Sequence, residues 1–227
     1  MDNNKPLVTV GLVIWNGEKY VRHCLRALAK QTYQNFEVVI FDNASTDSTV
    51  KIIATEFPYY RLIRNEKNIG MWNGHEKLLA QAKGEWYLVL SADVILDEQL
   101  IEKAVAAGMV NEHIGAVQGK ILQWHLENDK PVFRKTIDTL GFEIFRKRRI
   151  GNIGHGYEDH GQYEKPCEIF AVEGAVPLFR TSAMRDTLLE GHLIDPKFFW
   201  YGEDFDFAWR MRLRGWQHIY APQAMAW

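Results

Sequence analysis

Two adjacent carboxylates, Glu203 and Asp204, follow a glycine turn and stand immediately before a helical pattern. Carboxylates in this position can be structural. They can also provide a general base, which accepts a proton from a substrate hydroxyl in the transition state. The choice between the two readings depends on whether the rest of the chain builds a site that needs a base.

Three further polar groups come directly after predicted strands: Trp15 with Asn16, then Asp42, then Asp93. In open α/β sheets, ligands bind at the carboxyl ends of the strands. There an aromatic ring and a carboxylate can hold a flat base, and another carboxylate can hold a divalent metal that neutralises a diphosphate. Taken alone, Asp42 and Asp93 also fit a turn or a helix cap, so both interpretations stay open for each.

The two common phosphate-binding loops are missing from the sequence. No GxGxxG follows the first predicted strand, and GxxxxGK[ST] does not occur. Rossmann dinucleotide binding and P-loop chemistry therefore lose the glycine-rich loops on which they depend.

A sheet must bring these residues together, and the first 110 residues predict one. Strand and helix patterns alternate there with short connections, which favours a mostly parallel sheet. The predicted strands are residues 7–14, 36–41, 60–63 and 86–90, and the predicted helices are 18–30, 71–83, 98–110 and one after the turn at 42–47. Ser45 or Thr46 is the expected N-cap of that last helix.

The second half of the chain is less regular. Its predicted elements are strands at 114–124, 170–179 and 218–220, helices at 181–190 and up to Arg214, and a hairpin or long loop at 131–162. The basic run Arg146 to Arg149 in that loop fits a solvated segment or a patch for phosphate or a membrane surface. No repeat or linker divides the pattern, so one α/β domain over residues 1–227 is favoured.

Composition narrows the function further. A formal charge of −2 and a pI near 6.5 give no reason to expect nucleic-acid binding. Two cysteines without ligand spacing fit a reducing compartment, so a cytoplasmic location is expected. The sequence has no signal-peptide pattern and no apolar run of about 18 residues, so we expect no membrane span. The apolar ending at Trp227 predicts a domain that continues beyond it.

The motifs, read in order, resemble those of family-2 glycosyltransferases of the GT-A type. The segments are VGLVIWNGEKY (10–20), VVIFDNASTDST (38–49), NEKNIGMWNG (65–74), GEWYLVLSADVIL (84–96), EGAVPLFRTSAM (173–184) and FFWYGEDFDFAWRMRLRGW (198–216). They cover nearly the whole chain, and the ordered set is more specific than any one segment. The segment IDTLGFEIFRKRRIGNIGHG (137–156), with GQYEKP after it, further resembles bacterial rhamnosyltransferases of cell-surface polysaccharide assembly.

The resemblance implies a GT-A fold, with a Rossmann-like, mostly parallel central sheet flanked by helices and a smaller β and loop region on the acceptor side. Residues 1–110 would bind a nucleoside-diphosphate sugar, dTDP-rhamnose or a UDP-sugar. Residues 111–227 would bind a saccharide or lipid-linked saccharide acceptor. The implied reaction is an inverting, Mn²⁺- or Mg²⁺-dependent sugar transfer to a hydroxyl in cell-surface polysaccharide synthesis, at the inner face of the cell membrane.

On the donor side, the resemblance assigns Asp42 to hydrogen bonding with a pyrimidine base and Trp15 to stacking on the nucleoside. Val13 belongs to the same strand end. Asn68 and Gly70 match an Asn-x-Gly turn that closes on the nucleotide.

The resemblance places the metal at Asp93, the last aspartate of the family's metal-binding motif. Ser91 stands where that motif often has Asp or Asn, so weaker metal binding is expected. The family also often places a metal-ligand His just after the strand at which this chain ends, so the expected metal site is incomplete at Trp227.

On the acceptor side, Glu203 and Asp204 match the family's Glu-Asp pair, with Asp204 as general base and Glu203 orienting the loop or binding acceptor. Trp200 and Tyr201 would stack on a sugar face. Gly174 would leave space for the acceptor or the donor sugar.

Two other functions stay open. A nucleotidyltransferase would carry a glycine-rich, basic loop after the first strand, where this chain has WNGEKY. A non-catalytic sugar- or nucleotide-binding module would keep the fold without the chemistry, and Ser91 keeps that alternative open.

Overall fold

The computed structural model describes residues 5–147, 149–195, 197 and 202–227 of the chain. The strands of this part are β1 (Val8–Ile14), β2 (Phe36–Asp42), β3 (Arg61–Arg64), β4 (Trp86–Leu90), β5 (Ile114–Glu127), β6 (Lys130–Thr139), β7 (Phe142–Ile144), β8 (Ile150–Asn152), β9 (Cys167–Ile169), β10 (Leu178–Arg180) and β11 (Gln217–Ala226). The helices are α1 (Val21–Leu28), α2 (Thr49–Glu56), α3 (Met71–Leu79), α4 (Leu100–Gly108), α5 (Thr181–Asp186) and α6 (Glu203–Leu213).

One nine-stranded sheet runs through both halves of the chain, in the order β3-β2-β1-β4-β10-β5-β11-β9, with β6 paired to β5. The first four strands are parallel to one another. β10 is antiparallel to both β4 and β5, so β5 and its parallel partner β11 run in the same direction as β4. Only β6, β9 and β10 run the opposite way. The predicted mostly parallel α/β sheet is confirmed.

Helices cover both faces of this sheet. On one face, α1, α2 and α4 pack into a core with alternate residues of β1 and β4. On the other face, α3, α5 and α6 pack into a second core. Strand β4 contributes side chains to both cores. Its residues Trp86, Leu88 and Leu90 belong to the first core, whereas Tyr87 and Val89 belong to the second, because successive side chains of a strand point to opposite faces of the sheet. A strand buried on both faces reads as one continuous apolar run.

The connection between β2 and α2 differs from the expected cap. Helix α2 starts at Thr49, and neither Ser45 nor Thr46 caps it. The Thr49 amide instead donates to Asp47 Oδ1 at 2.9 Å. The Ser45 amide donates to Asp42 at the end of β2, and the Thr46 amide donates to Asn16 just after β1. The N-cap prediction is therefore wrong.

The strand predicted at 170–179 is also wrong over most of its length. Only its last two residues, Leu178 and Phe179, belong to β10. Before them, the Glu173 side chain accepts a hydrogen bond from the Ala175 amide at 2.9 Å, and Pro177 has no N–H to offer a neighbouring strand. The chain therefore turns at Gly174, and this turn reaches the candidate site.

The segment 131–162, predicted as a hairpin or a long loop, contains most of β6 and the hairpin of β7 and β8. Arg146, Lys147 and Arg149 of the basic run are exposed around the hairpin turn, and Arg148 lies outside the described residues. Among the residues that the structure covers, none of the helices has the length and apolar character to cross a membrane.

Candidate active site

Asp42 ends β2 at the carboxyl edge of the sheet, and its side chain is buried. Its Oδ1 accepts a hydrogen bond from the Ser45 amide at 3.1 Å, which is the turn contact that a strand-end Asp commonly makes. Its Oδ2 lies 4.0 Å from Nε of the exposed Arg64. The carboxylate is therefore fixed in place, with one oxygen directed toward the β3 side.

Asn43, the next residue, was missed by sequence reasoning. Its side-chain amide donates to Asn68 Oδ1 at 2.9 Å and to the Gly70 carbonyl at 3.1 Å, and its Oδ1 accepts from the Ile69 amide at 2.9 Å. The buried Asn43 side chain thus makes three hydrogen bonds to the predicted Asn68–Gly70 turn. Its position directly after Asp42 at a strand end was the available signal.

Gly70 gives this turn its shape. Its φ of 84° and ψ of 163° fall in a region that is essentially restricted to glycine. Asn68 Oδ1 also accepts from the Gly70 amide at 2.9 Å. The turn then runs straight into α3 at Met71.

Trp15 follows β1 and is 57% exposed, so its indole is available to a ligand. The neighbouring Asn16, with φ of 51°, accepts from the Thr46 amide at 2.8 Å and donates its own amide to Ser45 Oγ at 2.9 Å. These bonds tie the Trp15 strand end to the Asp42 turn. Val13, near the end of the same strand, packs on α3, since a Cβ added to Gly74 would lie 2.8 Å from it.

The end of β4 carries Ser91 and Asp93. The Ser91 amide donates to the Ala175 carbonyl at 2.9 Å, which joins this strand end to the turn at Gly174. Asp93 is exposed, and its backbone carbonyl accepts from the Trp124 indole at 2.7 Å. In the described ranges, no group of three His, Cys, Asp or Glu side chains is placed to hold a metal ion.

Asp204 lies in the first turn of α6, and its Oδ1 is buried without a hydrogen-bond partner among the described residues. Burial raises the pKa of this carboxyl to about 8, and the carboxylates of Glu173 and Glu203 act in the same direction. The Gly174 amide and the Trp72 indole lower the pKa. The result is a carboxyl group that changes charge near neutral pH, as expected of a general base.

Gly174 stands directly against this carboxylate. A Cβ added there would lie 3.2 Å from Asp204 Oδ1 and 3.3 Å from Oδ2. The same Cβ would lie 3.4 Å from Cε of Met71, the residue after Gly70. The Asn68–Gly70 turn, the end of β4 and the start of α6 therefore meet around Gly174.

Glu173 is a second residue that sequence reasoning missed. Burial, then the charges of Asp138 and Asp93, raise the pKa of its carboxyl. It connects the exposed Asp93 electrostatically with Asp204, so the strand edge holds a cluster of acids. The predicted sugar-stacking residues Trp200 and Tyr201 lie outside the described residues.

This arrangement can bind a flat base at one end and accept a proton at the other. Comparisons with known proteins identify the family and the fold of the chain. The family model "Glycosyl transferase family 2" matches residues 9–185. An uncharacterized glycosyltransferase of Haemophilus influenzae is 27% identical over 214 residues, which are 90% of this chain and 59% of that protein. The poly-beta-1,6-N-acetyl-D-glucosamine synthase of Staphylococcus epidermidis is 24% identical, over 95% of this chain and 48% of its own length.

Among solved structures, GalNAc-T7 with UDP, GalNAc and Mn²⁺ superimposes with a TM-score of 0.75 at 16% identity, covering 99% of this chain and 44% of the other. This likeness confirms the predicted GT-A fold. The chain spans about half the length of the relatives that it matches, namely 59% and 48% of the two above.

Proposed function

The chain belongs to glycosyl transferase family 2, and we propose that it is the catalytic domain of an inverting, nucleotide-sugar-dependent glycosyltransferase. One observation carries the proposal. A buried carboxyl with a raised pKa, Asp204, stands against Gly174 at the sheet edge that also presents Asp42 and Asn68. A raised pKa in a cleft is typical of a catalytic acid or base, whereas binding a nucleotide does not require one.

In the proposed reaction, Asp204 accepts the proton of an acceptor hydroxyl while that oxygen attacks the anomeric carbon of the donor. The bond from this carbon to the diphosphate oxygen breaks on the opposite face, so the configuration inverts. The electron pair leaves with the nucleoside diphosphate. Glu203 keeps the proton affinity of Asp204 high, and Gly174 has no Cβ to crowd the carboxylate, from which it would be 3.2 Å away.

On the donor side, we infer that Trp15 stacks on the nucleoside and that Asp42 accepts a hydrogen bond from the base. Asn43 holds the Asn68–Gly70 turn in the shape that closes on the nucleotide. Both candidate donors, a UDP-sugar and dTDP-rhamnose, carry pyrimidines. UDP is supported by the GalNAc-T7 structure, whereas the rhamnosyl assignment rests on segment 137–156 alone.

The acids at the strand edge fit a divalent cation in part. Mg²⁺ and similar ions are often held by one or two carboxylates together with substrate phosphates. Asp93 is exposed for that role, Glu173 raises the local negative charge, and Ser91 offers a hydroxyl in place of a second carboxylate. Mn²⁺ or Mg²⁺ bound at Asp93 would stabilise the charge of the departing diphosphate.

We further propose that residues 1–110 serve the donor and 111–227 the acceptor, within one domain that works in cell-surface polysaccharide synthesis. The name of the staphylococcal relative, a poly-beta-1,6-N-acetyl-D-glucosamine synthase, supports the proposed role in polysaccharide synthesis. The exposed cations Arg146, Lys147 and Arg149 support contact with the inner face of a membrane, and a cytoplasmic location remains a prediction.

Two measurements on the full chain test the function. Calorimetry with UDP and dTDP, with and without Mn²⁺, measures nucleotide binding, and product release from UDP- and dTDP-sugars with saccharide acceptors measures transfer. Tight nucleotide binding without transfer or donor hydrolysis would favour the non-catalytic module. Release of pyrophosphate from a nucleoside triphosphate and a sugar phosphate would favour a nucleotidyltransferase.

Variants then separate the two ends of the site. Asp204→Asn should lower transfer by about 10²-fold or more while leaving nucleotide affinity intact. Asp206→Asn is the matched control on the same helix, because Asp206 pairs with Arg210 rather than facing the site. Asp42→Asn keeps an acceptor for the Ser45 amide but should weaken nucleotide binding by about tenfold. Wild-type turnover in the Asp204 variant would remove it as the base.

A further inference from the structure

A narrow cleft behind Asp204 is lined by residues with four buried polar atoms that have no hydrogen-bond partner among the described residues: Trp72 Nε1, Asp204 Oδ1 and both ring nitrogens of His218. Trp72, Gly174, Phe207 and His218 line it together with Asp204. In the part of the chain that the structure covers, Trp72 Nε1 and Asp204 Oδ1 are both buried and neither has a hydrogen-bond partner. An indole N–H and a carboxylate oxygen are a natural donor and acceptor, and each left alone costs roughly 1–3 kcal/mol.

The aromatic surroundings of Trp72 fix its ring. Its centroid lies 5.9 Å from Phe207, 5.9 Å from His75 and 6.5 Å from Phe179, and the residue is 7% exposed. A phenyl ring at this position would have no polar atom to satisfy. The indole N–H lowers the pKa of Asp204, so it acts on the ionised carboxylate.

The Gly174 backbone amide also lowers the pKa of Asp204, so the Trp72 indole is the side-chain donor that acts beside it. Glu203 on α6 and Glu173 on the turn before Gly174 raise the pKa of Asp204 as charges. His218 on β11 is fully buried, and burial lowers its pKa to about 3, so the ring is neutral. The Phe170 backbone raises the pKa of His218, against the larger effect of burial.

We propose that Trp72 is a positioning residue whose indole N–H donates to Asp204 Oδ1 when that carboxyl ionises. Trp72 follows Gly70 by two residues, in the first turn of α3. The Asn68–Gly70 turn therefore leads directly into the helix end that carries Trp72. The inference rests on the proposed role of Asp204 and adds a donor that holds this carboxylate in place.

Trp72→Phe tests the contact, with Trp209→Phe on α6 as the matched control. Trp209 is 48% exposed and packs on Phe170, away from the cleft. In Trp72→Phe, we expect the pKa of Asp204 to rise, the acidic limb of the kcat profile to move to higher pH, and kcat at pH near 7 to fall about tenfold. The donor KM should change less than about twofold, and activity should recover at high pH. Trp209→Phe should match the wild type in all of these.

A folded Trp72→Phe variant with a wild-type kcat profile overturns the proposal, as does one in which KM and kcat fall together with the melting temperature.

A second measurement needs no variant of Trp72. The ¹⁵N–¹H resonance of the Trp72 indole should shift as Asp204 ionises in the wild type and stay constant with pH in Asp204→Asn. An indole resonance that does not change during this titration refutes the contact. This measurement does not require a known sugar acceptor. Absence of transfer by the wild type would instead refute the proposed function.

Discussion

Replacing Asp204 by asparagine should stabilise the folded chain, and the gain should grow as the pH rises from about 5 to about 8. The pKa of the Asp204 carboxyl is raised from 3.8 to about 8, chiefly by burial and then by Glu173 and Glu203. Between these two values the unfolded chain has released this proton while the folded chain retains it. The free energy of unfolding of the wild type therefore falls with pH across that window. Asparagine has nearly the same shape and no proton to lose.

The raised pKa sets the size of the effect. The difference of about 8 minus 3.8, roughly four pH units at ~1.4 kcal/mol each, gives an upper limit of about 6 kcal/mol. Local rearrangement can hydrate the charge of the ionised Asp204, which reduces the limit. We expect Asp204→Asn to gain about 2–3 kcal/mol over the wild type between pH ~5 and pH ~8.

Urea denaturation followed by circular dichroism at several pH values measures this difference directly, without any substrate. Asp206→Asn provides the control, because it removes the ion pair of Asp206 with Arg210 at 2.8 Å but leaves Asp204 in place. This control should lose about 1 kcal/mol or less and keep the pH slope of the wild type. A stability difference between Asp204→Asn and wild type that does not change with pH would refute the reasoning, since it would mean that Asp204 is not a buried acid with a raised pKa.

Three other changes test the surrounding geometry. Gly174→Ala should lower kcat about tenfold with unchanged nucleotide affinity, because its Cβ would lie 3.2 Å from Asp204 Oδ1 and displace the carboxylate; steady-state kinetics and calorimetry check this, and full activity would contradict it. Gly70→Ala should lose about 1–3 kcal/mol in urea denaturation and weaken UDP binding, since φ of 84° with ψ of 163° strains any residue with a Cβ; an unaltered UDP affinity would separate the turn from the nucleotide. Lys120→Met should lose about 3 kcal/mol, because Lys120 is buried and leaves Asp159, at 2.8 Å, and Glu164 without their partner; an equally stable variant with an equally protease-resistant 154–166 segment would refute this.

The sequence alone was sufficient for the alternation of strands and helices in the first half and for the strand ends at Asp42 and Trp15. Periodicity and turn chemistry are local properties, so they can be read from neighbouring residues. It was misleading at 170–179, where an apolar pattern suggested a strand. There Glu173 and Pro177 produce a turn, and the apolar residues are buried by packing against elements far away in the chain.

Only the tertiary structure decided how the candidate site is assembled. Trp72, Gly174 and Asp204 come from segments roughly a hundred and thirty residues apart at the extremes, and they meet because α3 and α6 cover the same face of one sheet. The opening carboxylate pair also became unequal there: Asp204 acquires its raised pKa from burial and from Glu173, a contact that no spacing along the chain encodes. Asn43 shows the same division, since its place after Asp42 is visible in the sequence but its three bonds to the Asn68–Gly70 turn exist only once β2 and α3 are packed together. The sequence determines which groups are available, and the folded chain sets their burial and distances, on which proton affinity depends.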